Sequence, residues 1–151
     1  DLDGTLLDTA PDFEYCLNKR LKEEGLAPLS LEAIKPVVSL GVKGLLKFGL
    51  DVDESNASFE SLRKRFLNDY AAILGTHTAY FPGIKLLLQK VVEANIPWGI
   101  VTNKPTRFAL PLIEKMQLPF SPGCVVCGDT LPVSKPDPAP IRHAVSLMGL
   151  S

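Results

Sequence analysis

Cysteine is scarce in these 151 residues. Cys16, Cys124 and Cys127 are an odd set, too small for a disulfide framework, and such usage favours a reducing, cytoplasmic compartment. Excess charge of either sign is missing as well. Lys and Arg total 16 against 17 Asp and Glu, a net charge of −1, which gives no electrostatic reason to expect nucleic acid or an anionic membrane as partner. No apolar run approaches the ~18 residues that a membrane span needs. Internal repeats and low-complexity tracts are lacking too. What is present is an ordinary globular composition, 46% hydrophobic and 22% charged, in a length that suits one domain or one domain with an insert. The first residue is Asp rather than Met, so the chain is read as part of a longer polypeptide.

Two patterns of hydrophobicity divide the chain. From Pro11 to about Gly75 the spacing is helical: Phe13, Leu17 and Leu21 recur every four residues, with Gly25 as a stop. Ser30 is placed to cap a helix carrying Leu31, Ile34, Val37 and Val38, which Pro36 kinks or shortens. A glycine-flanked segment, "GVKGLLKFG", follows, its Gly41-Val42-Lys43-Gly44 stretch reading as a loop, and Phe59, Leu62, Phe66, Tyr70 and Ile73 trace one face of a long helix. After "YFPG" (Tyr80–Gly83) the pattern alternates. A helix (83–94), a strand (96–102), a helix (105–117), a strand (123–129), a Pro-rich loop and a last helix (138–149) predict a parallel sheet with helices on both faces. The all-helical stretch is an insertion after the first strand. Cys124 and Cys127 form a C-x-x-C, but in a strand positions i and i+3 face opposite ways, and no second Cys or His pair accompanies them.

The chemistry concentrates in "DLDGTLLD", Asp1 to Asp8. At the end of a strand Asp1 and Asp3 share a face while Leu2 points away, and Gly4 permits a tight turn. Ligands bind at strand C-terminal ends in open α/β sheets. Two crowded carboxylates repel unless a cation or a shared proton relieves them, and Mg²⁺, which takes oxygen ligands, suits the pair. With the cation in place, one carboxylate can attack an electrophile and the other can move a proton.

Six of the eight positions match the first motif of the haloacid dehalogenase-like (HAD) phosphohydrolases, D-x-D-G-T-L-x-D, which this sequence resembles. Thr102, ending "WGIVT", and Lys135, in "KPDP", stand where that family has its second and third motifs. The resemblance extends over essentially the whole chain. It implies an incomplete Rossmann-like core, residues 1–11 and 81–151, with an inserted helical cap, residues 12–80, hinged near 8–12 and 80–83. By the same resemblance Asp1 is the nucleophile that forms an aspartyl-phosphate and binds Mg²⁺. Asp3 is the general acid–base, its carbonyl also meeting the metal. Thr102 and the Asn103 N–H hold the phosphoryl oxygens, and Lys135 neutralises nucleophile and phosphate. Dehalogenases of this fold lack the second aspartate, so Asp3 argues for phosphate chemistry. Gly41, Lys43 and Gly44 are the cap residues expected to face the substrate. His77 reads as a surface or hinge residue, and Arg107 as part of a solvated helix face.

The family also implies a hydrophobic strand before Asp1 and an acid-bearing strand after the Lys135 helix, neither found in these residues; Asp129 precedes Lys135 and does not fill that place. The expected activity is Mg²⁺-dependent hydrolysis of a small phosphorylated metabolite by a monomer or homodimer, with no nucleic acid or membrane partner. The resemblance is strongest to the phosphoglycolate phosphatase subgroup, which includes sugar phosphate hydrolases, N-acetylmuramic acid 6-phosphate phosphatase among them. Two alternatives stand beside it: a sugar phosphomutase of the same fold, and an inactive fragment or binding module.

Overall fold

The computed structural model describes residues 1–150 as an α/β protein. It divides into two units: Thr9–Thr78, and Asp1–Asp8 together with the chain from Ala79 onward.

The first of these is helical: α1 (Ala10–Glu23), α2 (Leu31–Val38), α3 (Gly41–Leu50) and α4 (Phe59–Ile73). Helix α1 starts with Pro11 in its first turn, where a missing N–H costs nothing, and stops before Gly25 at φ +71°. Ser30 caps α2 as expected, its Oγ accepting the Ala33 N–H at 3.3 Å. The apolar faces meet in a core of Phe13, Leu17, Leu21, Ile34, Leu45, Leu46, Phe66 and Tyr70, with the Phe13 ring stacked 4.5 Å from that of Tyr70. The Gly41-Val42-Lys43-Gly44 stretch corrects the sequence reading, because it opens helix α3 rather than forming a loop. Gly49 there faces Leu17, whose terminal methyl a Cβ would meet at 2.8 Å.

Two buried charges organise this unit. Asp12 is fully buried and accepts from Gly75 N (2.8 Å), His77 N (2.7 Å) and Thr78 Oγ1 (2.7 Å), tying the start of α1 to the turns after α4. Arg20, 3% exposed, donates to Asp69 at 2.5 Å and to Glu23 at 2.7 Å; Lys19 also meets Asp69 and Arg65 meets Glu23. Truncating Asp69 leaves Arg20 with one carboxylate in place of two. Full orphaning of a buried ion costs ~3–5 kcal/mol, so with Glu23 still in place Asp69→Ala is expected to lose about 2–3 kcal/mol, measured by urea denaturation.

In the other unit β1 (Leu7–Asp8) pairs antiparallel with β2 (Ala79–Tyr80), while β3 (Ile100–Val101) pairs parallel with β4 (Val125–Val126). Helices α5 (Ile84–Glu93), α6 (Thr106–Met116) and α7 (Ala139–Leu147) alternate with these strands, and α7 packs on β3 and β4. Leu2, Leu7, Leu88, Ile100, Leu112, Val126 and Ala144 form its core. The strands are shorter than the apolar runs predicted. Main-chain bonds from Gly123 N to Trp98 O and from Thr102 N to Val126 O nevertheless carry the β3–β4 pairing beyond the two-residue ladder. Asp1–Asp3 is likewise not a strand; Asp3 forms an isolated bridge with Leu7. Cys124 and Cys127 are free thiols, both pushed up in pKa by burial. No helix among the described residues is long and apolar enough to cross a membrane.

Candidate active site

The N-terminal turn presents the two carboxylates on one side. Leu2 is fully buried, while the side chains of Asp1 and Asp3 are 42% and 20% exposed. Gly4, at φ +78°, turns the chain, and its N–H reaches Leu7 O at 2.9 Å. The alternation expected of a strand is thus preserved in a turn.

Beyond β3 the backbone folds sharply. Thr102 is 3% exposed, and its Oγ1 accepts the Lys104 N–H at 3.1 Å. Since a hydroxyl has one donor besides its acceptor lone pairs, this bond leaves the O–H able to donate. The Gly128 N–H closes the turn from outside onto Lys104 O at 2.9 Å.

Asn103 does not point its side chain at a ligand. Its amide makes two reciprocal bonds of 2.9 Å with the main chain of Lys135, Nδ2 to the carbonyl and Oδ1 from the N–H. That latch sets the start of the Lys135 side chain, whose Nζ meets Val101 O at 2.9 Å and Asp1 Oδ1 at 2.8 Å. Burial holds the Lys135 ammonium below its ordinary pKa range, and the nearby Asp3 charge works the other way. Asp3 has a separate cation: Lys104 Nζ lies 3.0 Å from its Oδ1. Two acids are therefore matched to two lysines beside a buried hydroxyl.

Residues 1–151 match, over the whole chain, the model of the family described as haloacid dehalogenase-like hydrolase. The chain belongs to that family. Among curated relatives, this HAD-like hydrolase is 37% identical over 150 residues to N-acetylmuramic acid 6-phosphate phosphatase of Pseudomonas putida, covering 99% of this chain and 67% of the relative. It is 40% identical over 153 residues to phosphoglycolate phosphatase of Xanthomonas campestris pv. campestris, covering 100% and 68%. The chain thus spans about two thirds of the curated relatives it matches. A crystal structure described as a predicted phosphoglycolate phosphatase from Haemophilus somnus superposes with a TM-score of 0.83 at 25% identity, covering 99% of this chain and 70% of that one. That likeness carries the Rossmann-like assignment of the α/β core.

Asp1, Asp3, Thr102, Asn103 and Lys135 lie in one unit of this hydrolase, and the bonds above join them. Gly41, Lys43 and Gly44 lie in the helical unit, in the first turn of α3, where Lys43 pairs with Glu54. The His77 ring lies 5.6 Å from that of Tyr15, and Arg107 is exposed over the Phe108 ring. Lys104 is the residue that sequence reasoning passed over. The available signal was a charge count: paired acids at one site call for paired cations, and Lys104 directly follows the Thr102–Asn103 motif.

Asp129 has a structural task. Its Oδ1 accepts from Thr106 N at 2.9 Å and Thr106 Oγ1 at 2.5 Å at the start of α6, and these bonds hold its carboxyl below the ordinary range. A depressed folded-state pKa adds stability above the unfolded value of ~3.9, and that contribution is lost as pH falls through the folded value. Asp129→Asn is therefore expected to lower the thermal midpoint at pH 7, with the difference from the parent shrinking once the pH falls below the unfolded value and vanishing only below the depressed folded one.

Proposed function

We propose that this HAD-like hydrolase removes phosphate from a small phosphomonoester through an aspartyl-phosphate on Asp1. The observation that carries the reading is the pairing of Asp1 with Lys135 and of Asp3 with Lys104 beside the buried Thr102 hydroxyl. Phosphoryl transfer asks for an in-line nucleophile, a proton carrier and neutralised oxygens, and the carboxylates, lysines and hydroxyl gathered here are the functional groups suited to those tasks.

An Asp1 carboxylate oxygen attacks phosphorus as the bond to the leaving oxygen breaks, and Asp3 protonates that oxygen. In the second half-reaction Asp3 takes a proton from water, whose oxygen attacks the phosphorus of the aspartyl-phosphate. Inorganic phosphate leaves and the Asp1 carboxylate is restored. Thr102 donates its O–H to a phosphoryl oxygen, and Lys135 offsets the negative charge gathered by nucleophile and phosphoryl group.

Mg²⁺ fits the donor set. Among the described residues no group of three or more His, Cys, Asp or Glu side chains is gathered to hold a metal ion. Mg²⁺, however, is commonly held by one or two carboxylates together with substrate phosphate and water. Asp1 and Asp3 would hold it, and when bound it supplies neutralisation of the transferring group. The substrate class follows the relatives, phosphoglycolate or a sugar phosphate. Selection among these is assigned to the helical unit, with Gly41, Lys43 and Gly44 as its substrate-facing residues.

The test is phosphate release, with and without Mg²⁺, from 2-phosphoglycolate, hexose 6-phosphates and N-acetylmuramic acid 6-phosphate. Mg²⁺-dependent release from at least one ester is expected. A folded protein that releases none, or that isomerises a sugar phosphate without net release, overturns the reading.

A further inference from the structure

We infer that Lys104 is a positioning residue for the proton carrier, holding the Asp3 carboxylate where it meets the leaving oxygen. The inference rests on the phosphatase reading above and adds to it a residue outside the three family motifs.

Both ends of Lys104 are fixed. Its N–H is bound to Thr102 Oγ1 at 3.1 Å, its carbonyl to Gly128 N at 2.9 Å, and its ammonium to Asp3 Oδ1 at 3.0 Å. With the residue only 7% exposed, it forms a strut from the loop after β3 to the N-terminal turn, across 101 positions of sequence. Stability alone gives a poor account of it, because a buried ion pair is often matched or bettered by apolar residues of similar volume. Placement gives a better one. A carboxylate that gives a proton in one half-reaction and takes one in the next must stand in the same place for both, and displacement of ~1 Å can cost ~10²-fold in rate. Lys135 pairs with the nucleophile and also feels the Asp3 charge, while Lys104 makes the direct contact with the proton carrier.

The measurement compares kcat/KM for two esters in the parent protein at its natural full length and in Lys104→Met and Lys104→Arg. For this mechanism kcat/KM reports only the half-reaction that expels the leaving group. An alkoxide such as that of 2-phosphoglycolate needs Asp3's proton, whereas nitrophenolate leaves without one. Lys104→Met is expected to lower kcat/KM by ~10²-fold for 2-phosphoglycolate and by less than ~3-fold for p-nitrophenyl phosphate. Lys104→Arg, which keeps the cation, restores part of the difference. In an Asp3→Asn background Lys104→Met has no further effect on the alkyl ester. Equal losses for both esters, no loss for either, or an undiminished effect in the Asp3→Asn background overturn the inference and leave the phosphatase reading in place. Where the parent prefers one of the sugar phosphates named above, that alkyl ester replaces 2-phosphoglycolate in the comparison, and a folded parent that hydrolyses none of these esters overturns both.

Discussion

Asp1→Asn is expected to abolish phosphate release, lowering kcat by ~10⁴-fold or more. The amide has the size of the carboxylate, but its oxygen is a poor nucleophile and carries no charge. Lys135 loses its ion pair at 2.8 Å and keeps the bond to Val101 O at 2.9 Å. The Asn103 latch is untouched, since it binds main chain. With the Asp1 side chain 42% exposed, little stability rests on the ion pair, and the melting temperature is expected to move by no more than a few degrees. Quenched-flow phosphate release and a thermal melt on the same preparation separate the two effects. A variant that keeps even a tenth of parental turnover would remove Asp1 from the nucleophile's role.

The second large effect is expected at a residue without a side chain. Gly128 lies against the loop after β3, and a Cβ there would stand 2.1 Å from Asn103 O and 2.6 Å from Asn103 C. Both are backbone atoms, so no rotamer change relieves the clash; the loop itself must move. Gly128→Ala is expected to cost about 3 kcal/mol, at the upper end of overpacking effects. It should also slow turnover by ~10²-fold, because Asn103 holds Lys135 and Lys104 holds Asp3. Gly123 is the control. Its nearest atom is Trp98 O at 3.3 Å, and Gly123→Ala is expected to cost about 1 kcal/mol or less with turnover retained. Urea denaturation and steady-state kinetics on both variants check the pair. Equal, small losses at the two glycines would show that Gly128's close approach to the loop after β3 does not hold the site in place.

Much of this protein is legible without coordinates because the signals are local. The α1 and α4 faces follow from apolar residues three or four apart, and the α2 cap from one serine. Asp1 and Asp3 stay partly exposed while Leu2 between them is buried, an alternation kept in a turn as well as in a strand. The glycine-flanked segment was misread for a physical reason. Gly41, at φ +67°, does break the chain, but Gly44 lies inside the helix, where a Cβ would stand 2.3 Å from that of Leu40. One glycine supplies conformation and the other supplies space, and a string of letters does not separate the two.

The sequence by itself determined the candidate groups for the proposed chemistry: two carboxylates one residue apart, a strand-terminal Thr102 and a lysine in "KPDP". The carboxylate pair is legible from functional-group chemistry and short spacing, whereas Thr102 and Lys135 stand out only through the resemblance to the family's second and third motifs. Only the tertiary structure decided how the cations are shared between the acids. Lys104 meets Asp3 from 101 residues away, and Asn103 latches Lys135 from 32 residues away. It also decided that β3 and β4 pair in parallel, with main-chain bonds running from Trp98 to Thr102 against Gly123 to Val126. Pairing depends on which backbone lies alongside, and that is set when distant segments pack together, not by the composition of either segment.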